Sequence, residues 1–456
     1  MEKLKFKEKF GFGAYSAAVN IPFMFKNMYF LFFLTNVVNL EVLVAGTIVS
    51  IGTVWDAIND PLVGYWAVNK RFKSGERVRP IVLGGMIPWS LFTILLFTNF
   101  GLKGLSAAIV AGIIYVLFDM FDTLIGIPYY SMAGLATNSD DDRRSINSFR
   151  MFGASIGTMV GAVACFPLLN LFGALDDAGN LIPGTASRGF FLTACVMALI
   201  CIVGSLIQYY TTEERVKSIG AQEKHYSIKT LFNALFSNRA YVLNMCYIIC
   251  YGVINTFIMT VSTYYATYVL GSSSMATTIQ AVFLVANIIA VFIVGPIDKK
   301  FGRKKTMMIG ALIFILAMII FLFLRSNPLV SVLVVAVGAG ISVTFAYVML
   351  NTNRNEICDL VEWKSSHRID SMIASADSLI QKLASAAAIQ IIAYSLHRAG
   401  FNESLAAQPP AVAETIENLI SWAPGVLAIA MVLVAFFHPI QKELEKMNTE
   451  KSAAAK

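Results

Sequence analysis

Val42-Leu-Val-Ala-Gly-Thr-Ile-Val-Ser-Ile-Gly-Thr-Val-Trp-Asp56-Ala-Ile-Asn59-Asp60-Pro61 opens with an uncharged run and then sets two carboxylates one helical turn apart. The run reads as a membrane-spanning helix, because a bilayer core asks for roughly 20 predominantly apolar residues in succession. A charge near the middle of such a helix costs about 2.5–3.5 kcal/mol on insertion scales. Two together need a compensating group, and a bound cation is the obvious one. This stretch therefore predicts a helical membrane protein and points to ion-coupled transport.

The rest of the chain repeats the first half of that reading. Of 456 residues, 57% are hydrophobic and 14% charged, and mean hydropathy is +0.67, a balance foreign to soluble domains. Twelve apolar runs are expected to span the bilayer, near 11–36, 42–69, 79–99, 104–136, 144–172, 187–210, 239–269, 275–297, 306–324, 328–353, 369–396 and 417–438. They must be helices, since an open sheet cannot satisfy its backbone in hydrocarbon. Of the 35 lysines and arginines, 28 fall in the N-terminal tail, in alternate connections and in the C-terminal tail. That alternation predicts cytoplasmic termini and a cell (plasma or inner) membrane location. It also accounts for the net charge of +7 without nucleic acid as a partner. The charged start leads straight into a full span, which predicts no cleavable signal peptide. Cys165, Cys195, Cys201, Cys246 and Cys250 lie in apolar spans and Cys358 on the cytoplasmic side, so they form neither a disulfide framework nor a metal-ligand pattern.

A polar connector over 211–238 divides the chain into an N-terminal six-helix half, 1–210, and a C-terminal one, 239–440, with a cytoplasmic tail over 441–456. The halves echo each other. Gly295-Pro-Ile-Asp298-Lys-Lys-Phe-Gly302-Arg-Lys-Lys305 is a tight basic turn between the eighth and ninth spans, and Asn69 to Pro80 is a looser copy after the second. With twelve spans and a central connector, these loops resemble those of the major facilitator superfamily. The fold class expected is all-α and integral to the membrane, with substrate bound at the midplane between repeats.

Charged and polar residues inside the spans are few. The fourth span carries Asp119, Asp122 and Thr123, at spacings that share one helical face. The eleventh carries Asp377, Ser378, Gln381 and Lys382, the fifth Arg150, and the first Asn20, Lys26 and Asn27. One reading pairs these groups among themselves, Lys26 with Asp119 or Lys382 with Asp377 or Asp56, as structural ion pairs. Buried pairs barely break even against apolar packing, however, which argues against glue as the role of the whole set. In the functional reading Asp56, Asn59, Asp60 and Thr123 supply oxygen to a small hard cation in place of its water. Tyr129 and Tyr130 offer aromatic faces and hydroxyls suited to a sugar, although either alone also fits helix packing.

Asp56-Ala-Ile-Asn-Asp60-Pro-Leu-Val-Gly64, the Gly75 to Pro80 loop, Ile127-Pro-Tyr-Tyr-Ser131, and Asp359-Leu-Val-Glu362 followed by Arg368 and Lys382 resemble the glycoside–pentoside–hexuronide:cation symporters. The likeness runs from Phe10 to about Pro439. It implies a Na+ site at Asp56, Asn59, Asp60 and Thr123, a coupling lysine at Lys382, a substrate-contacting arginine at Arg150 and an aromatic platform at Tyr130. Two carboxylates that grip sugar hydroxyls in the family fall on Asn20 and Gly126, so Asp122 is a candidate replacement for one of them. Lys26, Arg150 and Lys382 would favour an anionic sugar such as a hexuronide, and a glycine usual in the family before Arg368 is His367 here.

The expected function is thus import of a glycoside, pentoside or hexuronide by alternating access, coupled to Na+ or H+, with no other cofactor. Candidate substrate contacts are Asn20, Lys26, Asn27, Asp122, Gly126, Tyr130, Arg150, Asp377, Ser378 and Lys382. A sodium-coupled lysophospholipid carrier of the same fold is the alternative, and a non-transporting membrane receptor a more distant one. An enzyme is not expected: His225, His367, His397 and His438 lie near span ends or in loops, without a nucleophile constellation.

Overall fold

The computed structural model describes residues 4–69, 76, 78–137, 139–215, 238–365, 370–402, 405 and 408–454. Every regular element among them is a helix: α1 (Phe6–Asn36), α2 (Val42–Asn69), α3 (Arg79–Leu96), α4 (Gly104–Ala136), α5 (Asp140–Val163), α6 (Cys165–Leu171), α7 (Ala186–Thr211), α8 (Arg239–Tyr268), α9 (Met275–Phe301), α10 (Arg303–Phe323), α11 (Pro328–Ser365), α12 (Asp370–Arg398), α13 (Pro410–Ile420), α14 (Trp422–Phe437) and α15 (Ile440–Ala454). Eleven spans are long and apolar enough to cross a bilayer, and a twelfth follows when α5 and α6, bent by 51°, count as one. The bend sits at Ala164, inside the continuous run expected over 144–172. Near the C-terminus the order is also broken, with Ser421 interrupting α13 and α14. Exposed Phe292, Phe323 and Ile87 are the surface chemistry that hydrocarbon, not water, accepts.

The described chain groups into two compact units. Unit 1 is Met1–Ala221 with Thr263–Ala281 and Ile389–Ala413; unit 2 is Gln222–Ser262, Val282–Ala388 and Glu414–Lys456.

In unit 1, α1 packs on α5 and α7, while α4 packs on α2 and α3. Lipid is as apolar as a leucine side chain, so helices join there by close packing of small residues. Gly153, Gly157 and Gly161 form such a stripe on α5. A Cβ at each would collide with the backbone carbonyl of Gly13, Ala17 and Ile21 of α1 respectively. The far end of α1 is held by aromatics: Phe97 stacks on Phe190 at 6.0 Å and meets Phe25 at 4.0 Å. At its near end lie ion pairs, Lys9 with Asp142 at 3.0 Å and Arg215 with Glu8 at 2.6 Å. Glu214 accepts the backbone N–H groups of Val78 and Arg79, capping α3.

Two segments of the second half of the chain belong to unit 1. The Thr35 hydroxyl meets that of Tyr264 at 2.9 Å, the Tyr268 hydroxyl donates to Asn36, and Glu41 lies 3.1 Å from His397. The turn after α8 is sewn to the loop before α7 by Asn180 and Ser272.

Unit 2 has its own core, where Tyr241, Ile357, Leu360, Ile373, Ile440 and Met447 meet. Residues 441–456, set apart by composition as a tail, are helical through Ala454 and contribute Met447 to that core. In the turn between α9 and α10, Gly302 takes φ +79°, a conformation that excludes most side chains. Arg303 then bonds Asp298 at 3.3 Å and Glu356 at 2.8 Å, tying the turn to α11. The helix α11 runs beyond the expected 328–353, so Arg354 is helical and not part of a loop.

Candidate functional site

The second-span acids lie on α2, which continues through Asp56 and Asp60 as one helix to Asn69. Spacing of four puts both carboxylates on the same face. Opposite them α4 presents Thr123, itself buried. Its hydroxyl lies 3.1 Å from Oδ1 of Asp56 and 3.0 Å from Oδ1 of Asp60. A hydroxyl has a single proton, so it donates to one carboxylate while its lone pairs face the other. Asn59 sits between the acids in sequence, 4% exposed, and its amide nitrogen has no hydrogen-bond partner among the described residues. Two carboxylates, a hydroxyl and an amide are the donor set a hard monovalent or divalent cation accepts. The structure thus brings together Asp56, Asp60 and Thr123, with Asn59 buried on the same helix.

The other candidates of α4 divide by contact. Asp119, one turn before Thr123, is paired with Lys26 of α1 at 2.7 Å, and both are buried. Asp122 is half-buried. At Gly126 an added Cβ would meet nothing within 4 Å, so open space adjoins this position. Tyr130 is 72% exposed, whereas Tyr129 is buried and fixed: its hydroxyl donates to the carbonyl of Phe12 at 2.6 Å and contacts Ser16 at 2.9 Å.

Arg150 belongs to this packing. Its guanidinium lies over the rings of Tyr129 at 4.3 Å and Phe12 at 5.0 Å. It donates to the Tyr130 carbonyl at 3.2 Å and to that of Tyr129. These bonds brace α5 against α4. On α1, Asn20 donates to the Ser16 carbonyl at 2.8 Å within its own helix, and Asn27 is exposed.

Within unit 2, Asp377 is buried and takes a 2.7 Å bond from Arg354, a residue read from the sequence as part of a cytoplasmic connection. Ser378 is exposed, and Gln381 and Lys382 are half-buried. Gly75, Arg77, His367 and Arg368 lie outside the described residues, as does 216–237 of the connector.

Sequence reasoning passed over the glycine stripe of α5 and the Tyr15–Tyr129 contact at 4.3 Å. The four-residue glycine spacing was a readable signal for the first. The second had none, because tyrosines are common in apolar spans.

A family model described as MFS/sugar transport protein matches residues 11–442. The chain belongs to this family. It is therefore a transporter and not an enzyme, in keeping with the resemblance carried by the second-span block. Over 98% of the chain and 93% of the relative, it is 25% identical to the isoprimeverose transporter of Lactiplantibacillus pentosus. It is 24% identical to a sodium-dependent lysophosphatidylcholine symporter 1 of Xenopus tropicalis, across 91% of this chain and 84% of that one. Among solved structures, a bacterial homologue of the human lysosomal transporter Spinster, inward-facing and unoccupied, shares the fold. The TM-score is 0.70 at 15% identity, covering 97% of this chain and 98% of that one. Family members of the MFS sugar transport type are multi-span membrane proteins, as the apolar helices here require.

Proposed function

We propose that this MFS-type transporter is a symporter that imports a glycoside, pentoside or hexuronide, driven by an inward gradient of Na+ or H+. The observation that carries the reading is the Thr123 hydroxyl shared between Asp56 and Asp60 at 3.1 and 3.0 Å. A cation there neutralises two like charges in a low dielectric and locks α2 to α4, which orders the neighbouring Gly126–Tyr130 stretch for cargo. Coupling of this kind is reciprocal, so sugar must also tighten the ion. The termini are cytoplasmic in this reading, on the strength of the alternating basic connections.

The isoprimeverose-transporting relative supports a sugar cargo. Uptake into vesicles with and without a sodium gradient tests the coupling. Equilibration that ignores both sodium and proton gradients would overturn it. The lysophosphatidylcholine-carrying relative supports a second reading, a lysolipid cargo at the same ion site. A thermal-shift screen of sugars, uronides and lysolipids, each with and without sodium, separates the two.

A further inference from the structure

Lys26 is placed unusually for a lysine of a transmembrane helix. It is 6% exposed and bonded to Asp119 at 2.7 Å. Its ammonium is ringed by Phe23 at 5.4 Å, Tyr115 at 4.8 Å and Phe118 at 5.1 Å. This cage is one helical turn from the acidic pair on two sides. On α4, Asp119 precedes Thr123 by four residues, and Thr123 touches both acids. On α2, Gly52 precedes Asp56 by four, and the ring of Tyr115 lies where a Gly52 Cβ would stand. The absence of a side chain at Gly52 is what lets Tyr115, and Lys26 behind it, approach α2 this closely.

A lysine ammonium on a four-carbon stem is a tethered monovalent cation. Left without a partner beside two carboxylates, it is the competitor closest to hand for any cation from solution. Asp119 holds it back. From this geometry we infer that Asp119 is a positioning residue for the coupling ion: by retaining Lys26 in the aromatic cage it keeps the ammonium from competing with a free cation for the oxygens of Asp56, Asp60 and Thr123. The inference rests on the ion-site reading above and goes beyond it, since it assigns a role to a pair that a purely structural account treats as packing.

The two halves of the pair then have opposite effects, which packing does not require. Asp119→Asn releases Lys26 to the acidic pair, and sodium affinity falls at least 10-fold. Lys26→Met removes the competitor and leaves an additional carboxylate close by, so sodium binds at least as tightly as in the wild type. The double variant Lys26→Met with Asp119→Asn has neither competitor nor keeper and recovers wild-type affinity to within about 3-fold.

Calorimetric titration of the purified full-length protein with sodium at pH 8 reads these affinities, and melting curves without sodium control for folding. Asp119→Asn binding sodium like the wild type overturns the inference. So does a double variant that melts like Asp119→Asn but stays as weak in sodium. A wild type that takes no sodium, with no variant gaining it, overturns the sodium reading of the site and this inference together; an altered order among variants that do bind overturns the inference alone.

Discussion

Thr123 of α4 and Asp60 of α2 are joined at 3.0 Å, and this contact makes a site of two helices that sequence places 63 residues apart. The acids supply charge and the threonine fixes their separation. Removing the Thr123 hydroxyl deletes the link between helices and, with it, one oxygen of the proposed ion site. Thr123→Ala is expected to weaken sodium about 10-fold, equivalent to about 1.4 kcal/mol. Asp60→Asn should abolish sodium-stimulated substrate binding while sodium-independent binding persists. Calorimetry on both variants checks this, and unchanged sodium affinity in Thr123→Ala would rule out the ligand role.

Arg150 offers a sharper division between bracing and cargo binding. Its planar fork meets two carbonyls and two ring faces at once, which a lysine ammonium does not reproduce. Arg150→Lys is expected to lower stability by about 1.5–3 kcal/mol, the usual worth of a hydrogen bond to a charged group. Thermal unfolding in detergent measures it. A variant that melts normally yet loses cargo binding would return Arg150 to the substrate.

The glycine stripe of α5 predicts a contrast between identical substitutions. Gly157→Ala drives a methyl into the Ala17 carbonyl, an overpacking that costs about 1–3 kcal/mol. Gly112→Ala on α4 meets open space and should be neutral or gain up to about 1 kcal/mol from helix propensity. Paired melting curves decide it; equal melting temperatures would refute close packing of α1 on α5.

In unit 2, Arg354→Met would strand the buried Asp377 carboxylate and cost about 3–5 kcal/mol. Arg354→Met combined with Asp377→Leu should recover most of that loss, because two apolar groups replace two charges. A double-mutant cycle by thermal unfolding gives the coupling. No recovery in the double variant would mean that the pair is not held by its charges.

The site was partly legible because its chemistry is rare in its surroundings. In hydrocarbon-matched helices, Asp56, Asp60, Lys26 and Asp119 stand out by type alone. The pairing of Lys26 with Asp119 was one of the readings that residue type and position allowed, and the structure realises it at 2.7 Å. Arg354 was misplaced for the same reason in reverse: a basic residue beyond an apolar run reads as loop, yet the helix continues eleven residues past it to Ser365. The bend at Ala164 was passed over although the sequence marks it: Pro167 has no N–H to give to the Val163 carbonyl, which breaks the helical ladder just where α5 ends.

Sequence alone determined that this chain is helical, that it crosses a membrane many times and which few charged side chains its apolar spans contain, because the bilayer allows one backbone solution and taxes every charge. Tertiary structure alone decided partnership: that Thr123 serves both acids, that Arg150 bonds backbone and that Lys26 is held by Asp119. Periodicity along one helix assigns residues to a face, but the rotation and approach of two helices depend on small residues such as Gly52 and Gly157, whose effect is set by what lies across the interface.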